Sequence, residues 1–554
     1  MARLPGSARR RALQHVEHLG RPDRQDPLMC GIALLIGPGA AAEAATFDRM
    51  VDGIRSRGEV LETDRGDAAL LATSRLRIVD RDRAMQPWTS PDGRWALCYN
   101  GEVFNHQELR RRLQEQGHAQ RSESDTEVVL EALLAWGDDA MLELRGEFAF
   151  AILDRTTGTV LMARDPAGVK PLYWARVNGR LHIASEVKSL TSLKTPVHEV
   201  PPGYIGRGSA GADPVLRPYI DLLRLGEGEP MLADVDEAKA ALRGTLEDSI
   251  RLRVDTDLPV AVILSGGLDS SLTLLHAREM HPDVHAFTVG TKGSEDVEYA
   301  TRLAKDLGVP HEVISLRPRD ISLRDVRQAI FRSEATEYGD VINAVVSLKV
   351  FERVHERGIK VVLTGDGSDE LFGGYDMYAR VPDADRRSLF LHKIRHLSRT
   401  ELQRVDRTSM GVGVEARVPF LDVQMLLLSM RIPLEMKVRD GYEKWIVRET
   451  FSDLLPGYIK ARHKNPMSHS SGLHERIRLF KPLFPRIYRS YGFDALGPMR
   501  RDFSVVLARH DNDLGRAVAA AELAEDYGFA ERARDFTGAL RWNLQGAMAA
   551  ARGR

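Results

Sequence analysis

Seven residues that directly follow an apolar segment have the composition of a phosphate-binding loop. Residues 265–271 read Ser-Gly-Gly-Leu-Asp-Ser-Ser and come after the predicted strand Val260–Leu264. Where such a loop opens a helix, free backbone N–H groups and the positive end of the helix dipole attract anions. The glycines allow close backbone approach, the serine hydroxyls add donors, and Asp269 can ligate Mg²⁺. No Gly-Lys-Ser/Thr follows, so this is not a Walker A loop.

A second loop repeats this arrangement later in the chain. The predicted strand Lys360–Leu363 runs into residues 364–370, which read Thr-Gly-Asp-Gly-Ser-Asp-Glu. In a parallel sheet both loops emerge at the carboxyl edge of the strands, where ligands bind. Asp269 and Asp369 could then share one Mg²⁺ across the phosphates, and Asp366 would lie close to the same site.

These segments resemble those of known enzymes. Residues 265–271 resemble the pyrophosphate loop of ATP pyrophosphatases, which cleave ATP to AMP and pyrophosphate. Together with residues 364–375 they resemble the synthetase domain of glutamine-dependent asparagine synthetases. Residues 413–422, residues 443–449 and Arg462-His463-Lys464 also match that family. The resemblance runs from Met29 to about residue 475 and implies that ATP and Mg²⁺ are used.

The same resemblance implies roles for individual residues of the synthetase site. Lys444 is expected to neutralise charge that grows on the phosphates, and Asp366 is expected to take a proton from ammonia. Asp269 and Asp369 are the expected metal ligands, and Glu334 is a candidate for the acceptor site. The residues expected to bind ATP are Leu264, Ser265, Gly266, Gly267, Asp269, Ser270, Ser271, Val289, Thr364 and Gly365.

The start of the resemblance concerns a different chemistry, the release of ammonia from glutamine. Residues 29–32, Met-Cys-Gly-Ile, resemble the start of a class II amidotransferase, in which cysteine is the N-terminal nucleophile. Its own α-amino group, with a pKa of about 7.7–8.0, can serve as the base at neutral pH. Asn100 and Gly101 would stabilise the oxyanion that forms when Cys30 attacks.

The resemblance also implies how glutamine is held. Arg75 would grip the α-carboxylate through a fork of two N–H groups, and Glu102 and Asp125 would hold the α-ammonium. The residues expected to bind glutamine are Arg75, Ile78, Val79, Asn100, Gly101, Glu102 and Asp125.

Two departures from the family pattern bear on this site. Cys30 is preceded by 29 residues, and only a first residue has an α-amino group. We therefore expect residues 1–29 to be an extension that is disordered or absent from the mature enzyme, whose chain starts at Cys30. Second, the chain reads Arg-Gly-Glu-Val at residues 57–60, where the family usually reads Arg-Gly-Pro-Asp. The contacts of that loop are expected to differ.

The predicted reaction is glutamine-dependent asparagine synthesis through an aspartyl adenylate. One alternative is a related amidotransferase of specialised metabolism that amidates another carboxylate, because residues 335–343 lack the Pro-containing loop that the family usually shows. A second alternative is a non-catalytic module that senses glutamine or ATP. The presence of Cys30, Asp269, Asp369 and Lys444 argues against that alternative.

The elements that must position these residues fall into two groups. Residues 29–190 show short apolar runs separated by turns, with helices near 43–55 and 125–136, which predicts stacked antiparallel β-sheets with flanking helices. From residue 235, strands alternate with helices, which predicts a doubly wound parallel α/β sheet. The resemblance names these folds the Ntn-hydrolase and ATP pyrophosphatase types. We expect a glutaminase domain at 30–230 and a synthetase domain at 231–554, with a helical end from Asp511.

Composition limits the other function classes. The chain has 554 residues and a formal net charge of −1, which argues against a general nucleic-acid binder. Its two cysteines exclude a disulfide framework, and no apolar stretch approaches the length of a membrane span. The expected partners are glutamine and aspartate or another carboxylate. A cytoplasmic location and a homodimer are further expectations.

Overall fold

A computed structural model of the chain describes residues 30–222, 224, 229–291, 293–335, 338–462, 473–493 and 514–515. The predicted extension 1–29 and nearly all of the predicted helical end from Asp511 lie outside these described residues.

The first half of the chain forms two stacked antiparallel sheets. The strands are β1 Gly31–Ile36, β2 Val60–Arg65, β3 Ala69–Arg75, β4 Trp88–Thr89, β5 Trp95–Val103, β6 Gly146–Asp154, β7 Thr159–Arg164, β8 Tyr173–Val177, β9 Arg180–Ala184, β10 His198–Glu199, β11 Tyr204–Ser209 and β12 Ala212–Pro218. Their order is β10-β8-β9-β1-β3-β2 in one sheet and β12-β11-β7-β6-β5-β4 in the other. The helices of this half are α1 Ala44–Ile54, α2 His106–Glu115 and α3 Asp125–Trp136.

Strand alternation explains how these layers stack. Every residue of β1 is buried, because both of its faces are covered. Ile32 and Leu34 face the second sheet and pack with Cys98, whereas Ala33 and Leu35 pack beneath α1. On the other side, α2 and α3 cover the outer face of β5 and β6. The half therefore has four layers, helix–sheet–sheet–helix, as the sequence predicts.

The second half of the chain forms a five-stranded parallel sheet in the order β15-β14-β13-β16-β17. Its strands are β13 Val260–Ile263, β14 Val284–Gly290, β15 His311–Ser315, β16 Val361–Leu363 and β17 Glu415–Arg417, and β18 Val438–Arg439 and β19 Tyr442–Glu443 form a small hairpin. The helices are α4 Val235–Val254, α5 Leu268–Met280, α6 Glu295–Leu307, α7 Leu323–Ser333, α8 Tyr338–Glu356, α9 Ser368–Phe372, α10 Met377–Arg380, α11 Asp383–Leu397, α12 Gln403–Met410, α13 Val423–Arg431, α14 Leu434–Lys437, α15 Trp445–Thr450, α16 Gly457–Lys460, α17 His474–Arg478 and α18 Phe484–Tyr491.

The order of the parallel strands determines where a ligand can bind. From the central β13 the chain adds β14 and β15 on one side, and it then returns to add β16 and β17 on the other. The strand order therefore reverses between β13 and β16, and the crevice at such a reversal is where doubly wound sheets bind ligands. Both predicted phosphate loops leave the sheet at this point.

Helix α8 starts earlier than the sequence predicts. The sequence pattern predicts a helix over 345–357, whereas α8 begins at Tyr338. Gly339 and Asn343 have low helix propensity and conceal the pattern, but Val341 and Ile342 are buried in a satellite core and hold the first turns in place.

The predicted domain boundary near residue 230 falls between the end of β12 at Pro218 and the start of α4 at Val235. We retain residue 230 as a proposed boundary.

The two halves meet through buried ion pairs. Arg57 of the first half bonds to Glu186 at 2.5 Å and to Asp406 of the second half at 3.0 Å. Arg253 of the second half bonds to Glu147 of the first at 2.9 Å. All five side chains are at most 2% exposed. Removing one partner of such a pair leaves an uncompensated buried charge, so the interface resists separation.

Strand β17 takes part in this contact although it is an edge strand of its sheet. Its three residues are all buried. Arg417 donates to Glu102 of the first half, and the backbone N–H of Val418 donates to Glu147 Oε1 at 2.9 Å. The first half therefore covers the edge of the second half's sheet.

Candidate active sites

All of the predicted glutaminase residues except Asn100 line one pocket with Cys30, which lies just ahead of β1. This pocket is lined by Cys30 together with Arg75, Ile78, Val79, Gly101, Glu102 and Asp125. Arg75 ends β3, the glycine and Glu102 lie on β5, and Asp125 begins α3. Residues that are distant in sequence thus converge, because β1 pairs with β3 in one sheet and β5 crosses above them in the other.

The thiol of Cys30 is buried and neutral in this setting. Burial raises its pKa to about 12, and the backbone N–H of Leu76, which donates to Sγ at 3.2 Å, only partly opposes the effect. Arg57 donates from Nε to the Cys30 carbonyl oxygen at 2.8 Å and so fixes the backbone of Cys30. A thiol of this kind needs a base in direct reach before it can attack a carbonyl carbon.

Asn100 has the features of an oxyanion donor. Its side chain is fully buried, and among the described residues neither its Nδ2 nor its Oδ1 atom has a hydrogen-bond partner. An unpaired buried amide costs free energy unless a ligand satisfies it. The next residue, Gly101, has a φ of +135°, and a Cβ there would come within 2.0 Å of the Glu147 carbonyl oxygen. Only glycine fits at this position in the β5–β6 pair.

Charged groups of both signs line the pocket. Arg75 is oriented by Glu62, whose Oε2 atom lies 3.2 Å from Nε, and by the Arg81 carbonyl oxygen. Asp125 accepts hydrogen bonds from the Tyr99 hydroxyl at 2.8 Å and the Val103 N–H at 3.1 Å. Burial nevertheless raises the pKa of Asp125. The pocket thus presents a guanidinium and carboxylates, the complement of an amino acid's two charged groups.

The sequence analysis missed one group of pocket residues, which comes from the second half. Glu415 of β17 lines the Cys30 pocket. Arg417, on the same face of that strand, donates from Nε to Glu415 Oε1 at 3.0 Å and also donates to Glu102. The string 413–422 resembles the family, but nothing in its spacing relates it to a cysteine almost 400 residues earlier. The one feature of the sequence that could have indicated this role is the pair of charged residues Glu415 and Arg417, which lie in an otherwise apolar segment.

The first phosphate loop lies at the end of β13, as predicted. Its serines bond to each other, with Ser265 Oγ 3.1 Å from Ser270 Oγ. Gly266 has a φ of +67°, and a Cβ there would come within 2.6 Å of Tyr299 Cβ. Arg462 donates to the Ser265 carbonyl oxygen at 3.0 Å and holds the loop from behind. The loop is therefore tightly packed on one side, which leaves its other side to a ligand.

The second loop packs directly against the first. A Cβ at Gly365 would come within 2.9 Å of Asp269 Cβ, and Ser368 Oγ donates to Asp269 Oδ1 at 2.6 Å. The hydroxyls of Ser271 and Thr364 are buried without a hydrogen-bond partner among the described residues. Leu264, Gly267 and Val289 also lie at the carboxyl ends of β13 and β14. The predicted ATP-binding residues thus surround one crevice.

Lys444 joins the two predicted metal ligands. Its Nζ atom lies 2.5 Å from Asp269 Oδ2 and 2.5 Å from Asp369 Oδ1. Gly374 makes the room, since a Cβ there would come within 1.8 Å of Asp369 Oδ1 and 2.3 Å of Lys444 Cε. Three residues that the sequence assigned to one site therefore meet, and the ammonium stands where the two carboxylates converge.

The same two carboxylates suit a magnesium ion. Mg²⁺ prefers hard oxygen ligands, usually only one or two carboxylates, with water and phosphate oxygens completing its shell. No group of three or more His, Cys, Asp or Glu residues in the described part of the chain could hold a metal. A pair of aspartates beside a phosphate loop fits an ion that arrives with a nucleotide.

Asp366 lies on the second loop in an ion pair. Arg404 of α12 reaches its Oδ1 atom at 2.8 Å, Glu401 Oε2 at 3.2 Å and the Ser347 hydroxyl at 3.0 Å. Sequence analysis did not single out Arg404. The sequence could not reveal this contact, because a buried arginine on a helix cannot be distinguished from an exposed one until the fold is known.

Glu334, the candidate for the acceptor site, lies at the interface between the halves. Its carboxylate accepts from the backbone N–H of Lys188 at 2.7 Å and lies 3.1 Å from Arg407 Nε. The side chain is fully buried. Thr336 and Glu337, in the loop that departs from the family, lie outside the described residues. A role of Glu334 toward the acceptor stays a prediction.

The other departure, at residues 57–60, has a clear structural outcome. Glu59, which stands where the family usually has proline, lies 2.5 Å from Lys360 Nζ and 3.3 Å from Arg77 Nε. It thus links the first half to the residue that precedes β16.

In the described residues no helix is both long and apolar enough to cross a membrane.

Comparisons with known proteins agree with this two-site geometry. Residues 29–204 match the family described as "Glutamine amidotransferase domain", and residues 241–388 and 379–490 match "Asparagine synthase". The chain is 32% identical over 461 residues to asparagine synthetase B [glutamine-hydrolyzing] of Escherichia coli (strain K12), covering 77% of this chain and 81% of that protein. It is 31% identical over 472 residues to asparagine synthetase [glutamine-hydrolyzing] of Asparagus officinalis, covering 80% and 78%. The chain belongs to the family of glutamine-hydrolysing asparagine synthetases.

Proposed function

We propose that this chain makes asparagine from aspartate, with glutamine as the nitrogen donor and ATP as the source of activation. The observation that carries the proposal is the presence of two candidate sites in one chain. One surrounds a buried cysteine with groups for an amino acid, and the other joins two loops at the reversal of a parallel sheet. Neither pocket alone explains why the other is present.

In the first pocket Cys30 attacks the side-chain amide carbon of glutamine. The α-amino group of Cys30 takes the thiol proton, because the raised pKa of the thiol leaves it protonated at neutral pH. Asn100 Nδ2 and the Gly101 N–H stabilise the oxyanion. Collapse of the tetrahedral intermediate breaks the C–N bond and releases ammonia, and water then hydrolyses the thioester to glutamate.

In the second pocket an oxygen of the aspartate side chain attacks the α-phosphorus of ATP. Pyrophosphate leaves, and the product is an acyl-AMP. Lys444 and the loop N–H groups stabilise negative charge on the leaving pyrophosphate. A bound Mg²⁺, held by Asp269 and Asp369, would supply further neutralisation of phosphate charge. Ammonia then attacks the acyl carbon, AMP departs, and one proton leaves the new amide nitrogen.

Asp366 is the proposed acceptor of that proton. Arg404 holds its carboxylate in place through a contact of 2.8 Å. Arg404 has a second carboxylate partner, Glu401, at 3.2 Å. A shift of the guanidinium toward Glu401 would free Asp366 when ammonia arrives.

The proposed glutaminase chemistry requires that Cys30 be the first residue. An internal cysteine has a peptide nitrogen, which is not a base. We therefore propose that active enzyme begins at Cys30, and a chain begun at Met29 should have full glutaminase activity after methionine removal. A chain that keeps residues 1–29 should lose glutaminase activity and still use ammonia. N-terminal sequencing of each protein, combined with a glutaminase assay, shows which first residue the active chain has. Full glutamine turnover by a chain that is intact from Met1 would refute the α-amino group as the base.

Pyrophosphate release measured with glutamine and ATP, with and without aspartate, tests the whole proposal. Release that depends on aspartate and yields asparagine supports it. Release that needs a different carboxylate would instead support an amidotransferase of specialised metabolism. The absence of pyrophosphate release under every condition would support a non-catalytic sensing module.

A cytoplasmic location and a homodimer stay predictions from the family resemblance. Light scattering of the purified protein tests the dimer.

A further inference from the structure

We propose that Glu415, a residue of the second half of the chain, helps to bind the α-ammonium group of glutamine in the first half's pocket. The inference rests on the proposed glutaminase function and extends it. The family resemblance assigns that ammonium to Glu102 and Asp125 alone, both of which belong to the first half. The structure adds a third carboxylate from the opposite side of the interface.

The position of Glu415 is the first argument. It lines the same pocket as Cys30, Glu102 and Asp125, and it is only 3% exposed. Side chains alternate along a strand, so Glu415 and Arg417 share the face of β17 that is turned toward the first half. Arg417 orients the carboxylate through a hydrogen bond of 3.0 Å from Nε to Oε1.

The balance of charge is the second argument. Three carboxylates, those of Glu102, Asp125 and Glu415, face two buried cations at this end of the pocket. The cations are Arg417 and Lys170, and Lys170 is also paired with Asp406 at 3.3 Å. Burial raises the pKa of Glu102, and the nearby charge of Glu415 adds to that rise, whereas Arg417 opposes it. Buried carboxylates in excess of cations are costly unless a cation joins them.

Glutamine supplies the missing cation. Its α-ammonium has three N–H donors, which matches three carboxylates. Its α-carboxylate suits Arg75, which lines the same pocket and has its own carboxylate partner, Glu62, on the strand beside it. A carboxylate that served only to pair with Arg417 would be redundant, because Glu102 already accepts a hydrogen bond from that arginine.

The test uses the full chain and the substitution Glu415→Gln, which keeps the size of the side chain and its ability to accept from Arg417. We expect the KM for glutamine to rise about 10- to 100-fold, since a hydrogen bond to a charged group is lost, and kcat to change little. Ammonia-dependent asparagine synthesis by the same protein should be unchanged. Glu415→Asp, which retains the charge, should recover part of the glutamine affinity.

The matched control is Asp422→Asn. Asp422 is also a buried carboxylate of the second half, and it lies 3.1 Å from both Arg253 and Arg145, outside the Cys30 pocket. This variant should keep the normal KM for glutamine. A similar rise in KM in the control, or a parallel loss of ammonia-dependent synthesis in Glu415→Gln, would show a structural role and overturn the proposal.

A second substrate shows whether Glu415 interacts with the ammonium itself. 4-Carbamoylbutanoate is glutamine without the α-amino group. Its kcat/KM should be the same in the wild type and in Glu415→Gln, whereas that for glutamine falls. Equal losses with both substrates would overturn the inference and leave the glutaminase function intact. Failure of the wild type to hydrolyse glutamine would instead refute the proposed function.

Discussion

The two pockets differ in how their polar groups are satisfied before any ligand binds. Next to the Cys30 pocket, Asn100 is buried with no partner in the described structure. Among the residues that line the pocket, carboxylates outnumber cations. In the crevice between the two phosphate loops, 265–271 and 364–370, the charges pair with one another, since Lys444 contacts both Asp269 and Asp369. A ligand of complementary charge can therefore add to the ion pairs of the first pocket, whereas in the second it must replace them.

This difference shows how binding is expected to proceed in each pocket. We expect glutamine to add to the existing ion pairs of its pocket, so that little of its binding energy is spent on breaking them. A nucleotide with its metal must separate Lys444 from the two aspartates and turn each toward a new partner. We therefore expect the glutaminase site to be rigid and the synthetase site to rearrange. The following predictions test that comparison.

The largest effect should come from Cys30→Ala. Loss of the nucleophile should lower glutamine-dependent synthesis by about 10⁴-fold or more, while synthesis from ammonium salts in the same protein continues. The reason is that the thiol contributes to one pocket only. Parallel assays with glutamine and with ammonium chloride measure both activities. Equal loss of the two would show that the pockets are not chemically separate.

Asp269→Asn or Asp369→Asn should reverse that pattern. Each substitution removes a carboxylate from Lys444 and from the proposed Mg²⁺ site, so ATP-dependent pyrophosphate release should fall about 10³-fold while glutamine hydrolysis persists. Asp376→Asn is the control, because Asp376 is an exposed neighbour paired with Arg380 at 3.3 Å. Normal ATP turnover in the two active-site variants would contradict the metal assignment.

Asn100→Ala tests whether the first pocket is preorganised. Removing one oxyanion donor should lower kcat for glutamine hydrolysis about 10²-fold and leave KM close to normal, because the amide acts on the transition state. Steady-state kinetics of glutamate release give both constants. A rise in KM without a change in kcat would limit the role of Asn100 to binding glutamine and would weaken the contrast between the pockets.

The smallest effect concerns pH. Burial raises the pKa of the Cys30 thiol to about 12, so the thiol is protonated from pH 6 to pH 9 and cannot itself produce a titration there. A neutral α-amine is required as base, and its fraction increases about tenfold per pH unit below a pKa of about 7.7. The kcat/KM for glutamine should therefore rise with pH and level off near pH 8. A flat profile would exclude the amine.

Much of this architecture could be predicted from the sequence. The alternation of short strands in the first half and of strands and helices in the second follows from local patterns, and both fold types are confirmed. The loops at 265–271 and 364–370 could also be located, because each directly follows an apolar strand and such loops meet at one sheet edge. Local patterns suffice where the residues that act together are contiguous.

Other contacts could not be predicted because they join distant segments. Arg417 and Glu102 are 315 residues apart in sequence, and Arg404 and Asp366 are 38 apart. Such pairs depend on how two sheets and a helix pack, which composition and periodicity do not determine. The same holds for Glu59, whose pairing with Lys360 crosses the interface and could not be inferred from the loop in which it lies.

The covered edge strand β17 has a consequence for how the protein is made. An exposed edge strand offers unpaired backbone groups to other chains and promotes aggregation. The first half, which includes Glu102 and Glu147, leaves the ribosome before β17 is synthesised and can fold first. The surface that covers the edge is then ready when the edge appears. We therefore expect the order of the two halves along the gene to protect the nascent enzyme, and we expect the reverse order to expose β17 during synthesis.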